Sequence, residues 1–301
     1  MSSLPYCILS TPLVDAAAEP LKQAIADSGA QGVLLTGAVA VAGDQNDAAC
    51  EKIAGFGKLP GVMVEVDLAR FPMDHPLVVA HPELFVLRRL PGERATIDPR
   101  QAMPPTGEAL ARLRSEEASA LLGDLLIDRL EALVSAGVNG FRLGAPDRIG
   151  VELLKRIVDA FANRDVRFIA GPMGERANAV RLADAGMDGL ITSYGWWDMS
   201  AAWMVEEVSA LRGSVPLIAE FPSDHVDPIA GLELVSLAAD AMIVPVGWAS
   251  VAERRAAIRH ACAGFANSEA LNGELRQASA PGDSMTVLVR GLKSLFTNAE
   301  A

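Results

Sequence analysis

Short apolar runs alternate with longer amphipathic stretches along most of this chain. The runs are nearly continuous in Val, Ile, Leu and Phe, which is typical of parallel strands that are covered on both faces. Eight such runs are predicted as strands, at residues 6–9, 32–35, 62–66, 140–143, 167–170, 189–192, 216–219 and 241–246.

The stretches between these runs have the apolar spacing of helices. Several end in a glycine just before the next strand (Gly137, Gly186 and Gly213), as helices often do. Eight alternating units predict an α/β protein built as one closed (β/α)8 barrel. An open, doubly wound sheet is the alternative, although such sheets usually have fewer strands. The predicted helices are residues 16–28, 47–56, 119–136, 150–162, 176–185, 201–211, 229–239 and 250–265.

One connection is much longer than the others. Residues 70–115, rich in Pro and Arg, follow the third strand and leave the end of the barrel where enzymes of this fold carry their sites. The barrel is predicted to span residues 1–266. Residues 267–301 are expected to form a loop and a final helix, at 285–296, that packs on the barrel.

Composition excludes several classes of function. The net charge of −12 would repel a nucleic acid or an anionic membrane, and the longest apolar runs are too short to cross a bilayer. The N-terminus has no basic segment before the first strand, so we expect no signal peptide and a cytoplasmic protein. The three cysteines and four histidines lack the spacing of metal ligands, so no metal and no cofactor is expected.

Several segments, in order, resemble the maltosyltransferases that extend glucan from maltose 1-phosphate, which belong to the alpha-amylase superfamily. The resemblance extends over roughly residues 60–250, and residues 1–60 match only as generic βα units. The segments are 66–69 (VDLA), 73–78 (MDHPLV), 81–85 (HPELF), 137–143 (GVNGFRL), 194–198 (YGWWD) and Phe221-Pro222 with His225. The resemblance implies a (β/α)8 barrel and retaining glycosyl transfer, in which one carboxylate attacks the sugar and another donates a proton.

The carboxylates that this chemistry needs are missing at the matching positions. The resemblance implies a nucleophile at Gly144, an acid/base residue at Gly171 and a third carboxylate at Val226, none of which has an ionisable side chain. Relocated acids are the alternative, with Glu175 paired with Asp224 or Asp227. We leave the catalytic residues unassigned.

Six residues are predicted to bind a ligand at the barrel mouth: Asp67, Arg142, Tyr194, Trp197, Asp198 and His225. Arg142 either pairs with Asp67 at the ends of neighbouring strands or binds an anion. The aromatic residues Tyr194, Trp196, Trp197 and Trp248 cluster after strands six and eight. They either form platforms for the apolar face of a sugar or plug the top of the barrel.

The leading hypothesis is a degenerate, non-catalytic glycoside-hydrolase-like barrel. It binds an α-glucan or small sugar, or acts as a scaffold beside a glucan-metabolising enzyme. The first alternative is an active glycosyl transferase or hydrolase with relocated carboxylates. The second is a purely structural domain that forms homo-oligomers.

Overall fold

The structure is a computed structural model of the chain. It describes residues 5–57, 59–87, 107–171, 176–192, 215–224, 229, 231–232, 235, 239–268, 275–277 and 288–290.

Eight parallel strands close into a barrel, as the alternation of the sequence predicts. The first strand pairs with the second on one side and with the last barrel strand on the other, and this pairing closes the ring. The strands in chain order are β1 (Cys7–Pro12), β2 (Gly32–Ala40), β3 (Val62–Asp67), β4 (Arg70–Pro72), β5 (Phe85–Leu87), β6 (Glu108–Ala111), β7 (Gly140–Leu143), β8 (Arg167–Ala170), β9 (Gly189–Thr192), β10 (Leu217–Glu220), β11 (Ala241–Pro245), β12 (Leu275–Gln277) and β13 (Leu288–Arg290). Around the barrel the order is β1, β2, β3, β7, β8, β9, β10 and β11.

The strands are apolar on both faces because they separate two cores. Side chains that point inward form a small cluster: Ile8, Leu34, Met63, Ile169, Ile191, Ile218, Ala241 and Ile243. The residues between them, such as Leu9, Val64 and Phe141, point outward into a larger core shared with the helices. The inner cluster fills the barrel, so the barrel is a packed core and not a pore.

Amphipathic helices surround the barrel, near their predicted positions. Ser115 caps the longest of them by accepting a hydrogen bond from the Ala118 N–H at 3.1 Å. The helices are α1 (Ala18–Ser28), α2 (Asp44–Ala54), α3 (Pro76–Ala80), α4 (Glu116–Ser135), α5 (Val151–Ala160), α6 (Arg176–Asp184), α7 (Val246–Ala249) and α8 (Ala252–Ser268). The predicted helix at 201–211 lies outside the described residues, and only part of the one at 229–239 lies within them.

The long connection after β3 carries structure of its own. Strands β4, β5 and β6 form an antiparallel sheet in the order β4-β6-β5. Along the chain, α3 lies between β4 and β5. Arg70 on β4 and Glu108 on β6 form an ion pair of 2.6 Å, and the rings of Phe71 and Phe85 meet at 5.2 Å. We call this sheet with its helix the β3 insertion.

The C-terminal segment differs from the prediction. The barrel does end in a C-terminal helix, α8. Within the predicted final helix at 285–296, however, the described residues Leu288–Arg290 pair antiparallel with Leu275–Gln277 as strand β13. Thr286, Val287 and Val289 are β-branched and favour the extended chain over a helix. No helix among the described residues is long and apolar enough to cross a bilayer.

Candidate functional site

Three charged side chains point into the barrel just above its apolar filling. Glu65 on β3 and Glu220 on β10 each follow a member of the inner cluster, Met63 and Ile218, by two positions, and Arg142 on β7 is the register neighbour of Glu65. Because strand side chains alternate between the faces, these three residues line the C-terminal mouth of the barrel. We call them the mouth ion cluster.

Arg142 is the centre of this cluster. Its guanidinium donates two hydrogen bonds to the carboxylate of Glu220, through Nη1 and, at 3.0 Å, through Nη2. Glu65 lies on its other side, with Oε1 4.0 Å from Nε, and accepts a hydrogen bond from the Gly37 N–H at 3.1 Å. The Arg142 side chain is only 12% exposed, so it needs such partners.

The predicted pairing of Arg142 with Asp67 is wrong. Arg142 pairs instead with Glu220, which lies across the barrel. Its register neighbour on β3 is Glu65 and not Asp67. Asp67 is two residues further along β3 and turns back on its own chain, accepting a hydrogen bond from the Ala69 N–H at 2.9 Å. Burial raises the pKa of Asp67, while that hydrogen bond and the charges of Arg70 and Arg148 oppose the shift.

Of the three positions expected to hold catalytic carboxylates, Gly171 is closed to a side chain and Gly144 is tight. A Cβ on Gly171 would lie 2.5 Å from Cβ of Ile191 and 2.8 Å from its carbonyl oxygen. A Cβ on Gly144 would lie 3.2 Å from the carbonyl oxygen of Val66. Ile191 therefore occupies the space that a side chain would need at Gly171. The third position, Val226, lies outside the described residues.

The backbone beside Gly144 is strained. Ala145 has φ of 46°, in the left-handed region that residues with a Cβ avoid. Pro146 follows it and starts a short helical turn, so the chain bends sharply away from the end of β7. Backbone strain of this kind is commonest at binding and catalytic sites.

Of the four aromatic residues expected to form either a sugar platform or a plug, the structure describes Trp248, which is not available as a platform. Trp248 is 2% exposed, packs against Phe221 at 5.6 Å and lies under the guanidinium of Arg254 at 5.5 Å. It belongs to the outer core and cannot stack on a ligand at the mouth. Tyr194, Trp196, Trp197, Asp198 and His225 lie outside the described residues.

The relocated acids can be followed only in part. Asp224 is exposed, beyond the end of β10, whereas Glu175 and Asp227 lie outside the described residues. The carboxylates that do converge are Glu65 and Glu220, and Arg142 stands between them. Both oxygens of the Glu220 carboxylate accept hydrogen bonds from Arg142, so this carboxylate is already engaged by a cation and not by a sugar.

Glu65 and Glu220 are site residues that were not predicted from the sequence. For Glu65 the signal was a charged residue in the middle of the strand Val62–Asp67, whose other charged residue, Asp67, is its last. Its meaning depends on Arg142, which is 77 residues away in the sequence and adjacent only through the β3–β7 register.

Comparison with known proteins gives one curated relative and many similar structures. No family model matches the chain. The alpha-1,4-glucan:maltose-1-phosphate maltosyltransferase of Burkholderia pseudomallei (strain K96243) is 37% identical over 154 residues, which is 50% of this chain and 13% of that enzyme. The match therefore spans about an eighth of the length of the curated relative.

Solved structures of sugar-cleaving enzymes share the fold. The ligand-free cyclic alpha-maltosyl-(1→6)-maltose hydrolase of Arthrobacter globiformis matches with a TM-score of 0.64 at 14% identity, covering 97% of this chain and 83% of that one. The alpha-amylase of Geobacillus thermoleovorans, in complex with acarbose, matches with a TM-score of 0.59 at 12% identity, covering 95% and 84%. This chain therefore has the (β/α)8 barrel fold of these enzymes, and half of its length is similar in sequence to the maltosyltransferase of Burkholderia pseudomallei.

Proposed function

We propose that this protein is a non-catalytic barrel that binds an α-glucan or a small sugar at the C-terminal mouth. The observation that carries the proposal is the mouth ion cluster, together with the closed side-chain space at Gly171. Charged groups lie at the mouth, but neither Gly144 nor Gly171 carries a carboxylate, and Gly171 has no room for one.

The loss of catalysis follows from what the cluster can do. A retaining mechanism needs one ionised carboxylate and one protonated carboxyl group across the scissile bond. Glu220 accepts two hydrogen bonds from Arg142, and Glu65 faces the same guanidinium at 4.0 Å. Neither is free to attack or to protonate a sugar without first breaking the cluster.

The proposed sugar binding depends on carboxylates at the mouth that are partly exposed to solvent. The side chains of Glu65 and Glu220 are 21% and 28% exposed, so part of each carboxylate is open to a ligand in the mouth. Carboxylates accept hydrogen bonds from sugar hydroxyls. Asp67, Tyr194, Trp197, Asp198 and His225 are proposed to contact the same ligand, and a glucan-metabolising enzyme is the proposed partner.

Calorimetric titration tests the proposal. Maltose and longer maltooligosaccharides should release or absorb heat on binding, and Glu65→Gln should weaken the affinity roughly fivefold by replacing a charged acceptor with a neutral one. Asp165→Asn is the matched control. Asp165 precedes β8, at the end of the barrel opposite the mouth, so this change should leave binding unchanged. No heat at millimolar sugar would remove the sugar-binding proposal.

An active glycosyl transferase is the second candidate function, favoured by the 37% identity to the maltosyltransferase. In that case maltose 1-phosphate and a glucan acceptor should turn over, and Glu175→Gln should abolish the reaction. Turnover of the wild type would contradict the non-catalytic proposal. A purely structural role remains the third, and dimers that form without sugar and cover the mouth would support it.

A further inference from the structure

A cavity of about 410 Å³ lies at the end of the barrel opposite the mouth. The described residues that line it stand before or at the start of β1, β2, β3, β7 and β8, which are neighbours around the ring. Pockets that hold small molecules usually have volumes of about 300–1,000 Å³. Because enzymes of this fold carry out their chemistry at the other end of the strands, this cavity is suited to binding and not to catalysis. We call it the basal cavity.

Glycines keep the basal cavity open. Gly32, Gly61 and Gly140 stand at or just before the first residues of β2, β3 and β7. A Cβ on Gly140 would lie 2.9 Å from Cε of Met63, and a Cβ on Gly61, whose φ is 55°, would lie 2.7 Å from the carbonyl oxygen of Gln31. Three neighbouring strands therefore begin without a side chain that could cover Met63, which lines the cavity from the inner cluster as an apolar floor.

Charges of both signs line the basal cavity. Arg167, the first residue of β8, donates hydrogen bonds to Asp188 at 3.0 Å and to Asp165 at 3.4 Å. Arg167 and Asp165 both line the cavity, and their side chains are 12% and 68% exposed. A ligand with only a negative charge would face Asp165, and one with only a positive charge would face Arg167. A ligand that carries both charges can place each of them against its opposite.

Two carboxamide side chains complete the polar lining. The side-chain oxygen of Gln31 accepts a hydrogen bond from the Tyr6 N–H at 2.8 Å, which fixes this carboxamide at the start of the barrel. Asn139 is fixed through its backbone, because its N–H donates to the Val62 carbonyl at 2.7 Å and its carbonyl accepts from the Arg167 N–H at 2.9 Å. Carboxamides both donate and accept, so they can bind an ammonium group or a carboxylate.

We propose that the basal cavity binds a free α-amino acid with an apolar side chain. Its ammonium group lies against Asp165 and its carboxylate against Arg167, in hydrogen bonds that are stronger than neutral ones because both partners are charged. Its side chain packs on Met63 and Leu59, the buried apolar members of the lining. The site is independent of sugar binding at the mouth, because the inner cluster fills the barrel between the two ends.

Calorimetric titration of the full-length chain tests the ligand class. L-leucine, L-methionine or L-phenylalanine should bind at millimolar concentration. 4-Methylpentanoate lacks the amino group of L-leucine and 3-methylbutylamine lacks its carboxylate, so each should bind at least roughly tenfold more weakly. Failure of all three amino acids to bind would overturn the proposal, and so would an affinity for either leucine analogue that equals that of L-leucine.

NMR spectra of methionine methyl groups test the location. The Met63 signal, assigned by its absence in Met63→Leu, should shift as the amino acid saturates the protein. This substitution nearly conserves volume and should leave the barrel folded. Binding without a shift of the Met63 signal would place the ligand elsewhere and overturn the proposal.

Asp165→Asn tests the charge that faces the ammonium group. Asparagine keeps an acceptor for Arg167 but carries no charge, so the affinity for the amino acid should fall roughly tenfold. Asp128→Asn, on the exposed face of α4, is the matched control and should leave the affinity unchanged. Equal affinities of the two variants would contradict the role of Asp165 and overturn the proposal.

Discussion

At the scale of single residues, Gly144 and Gly171 differ in the room that they leave for a side chain. Ile191 occupies the volume beside Gly171, so a side chain there requires Ile191 to move first. Gly144 has the carbonyl of Val66 at 3.2 Å from a hypothetical Cβ, a tight contact but a milder one. The two glycines are therefore unequal, and this difference can be measured.

Gly171→Ala should destabilise the protein by about 1–3 kcal/mol, the usual cost of forcing extra atoms into a packed core. Gly144→Ala is the matched control and should change stability by about 1 kcal/mol or less. Denaturant unfolding of both variants measures the free energies. Equal losses would mean that Ile191 yields easily and that the space at Gly171 is not closed.

Asp67→Asn should stabilise the protein at neutral pH. Burial raises the pKa of Asp67 in the folded protein above its ordinary value of 3.8. The contribution of Asp67 to the free energy of unfolding is therefore favourable at acid pH and is lost as the pH rises through the folded pKa. Asparagine keeps an acceptor for the Ala69 N–H and carries no charge.

Melting temperatures between pH 4 and pH 8 check this prediction. The variant should gain a few degrees over the wild type as the pH rises, and the gain should level off at the upper end. Asp224→Asn, at an exposed position, is the control and should show no such trend. A lower melting temperature for Asp67→Asn at pH 8 would contradict the argument.

At the scale of elements, the β3 insertion depends on a histidine cap. His75 precedes α3, and its Nδ1 accepts a hydrogen bond from the Leu77 N–H at 3.2 Å, which requires the neutral ring. Burial first, and the charge of Arg129 second, lower the pKa of His75. Because the pKa of His75 is lower in the folded protein, the cap stabilises the fold at pH values above the pKa of the unfolded state. This stabilisation is lost as the pH falls through the pKa of the folded state.

Helix α3 of the β3 insertion should therefore unfold locally more often at pH 5 than at pH 7.5. Hydrogen exchange of the amides of residues 76–81 measures the change, and a loss of protection of roughly fivefold corresponds to a helix cap of about 1 kcal/mol. His75→Asn keeps a capping acceptor without a titrating ring and should flatten the pH dependence. An unchanged pH dependence in that variant would assign the effect to another group.

Sequence pattern predicted the barrel well because its strands are continuous apolar runs. The strands at 140–143, 167–170 and 189–192 were placed to the residue. The extension of β2 to Ala40 was not predicted, since it follows a register shift against β3 between Leu35 and Val39. The β3 insertion was treated as a loop, because its strands are three or four residues long and pair across distant sequence.

The candidate site was predictable only as separate residues. Arg142 and Asp67 were identified from the motifs in which they stand, and Gly144 and Gly171 from the absence of acids there. The mouth ion cluster depends on which side chains reach the same level inside the barrel, and that is set by the stagger of neighbouring strands. Glu65 and Glu220 meet Arg142 for this reason, which spacing along the chain does not reveal.

At the scale of the whole molecule, one strand closes the ring. Strand β11 pairs with β10 on one side and with β1 on the other. A chain that ends at residue 240 lacks this strand, and we expect it to aggregate because β1 and β10 would both present unpaired edges. A chain that ends at residue 268 keeps all eight strands and should retain cooperative thermal unfolding; equal solubility of the two would contradict the prediction.

The position of that closing strand has a consequence for biosynthesis. More than 230 residues separate the start of β1 from the start of β11. On the ribosome, the first strand cannot pair with its second neighbour until residues 241–245 have emerged. During that interval the nascent barrel has two unpaired strand edges, and we expect it to require a chaperone until translation has passed Pro245.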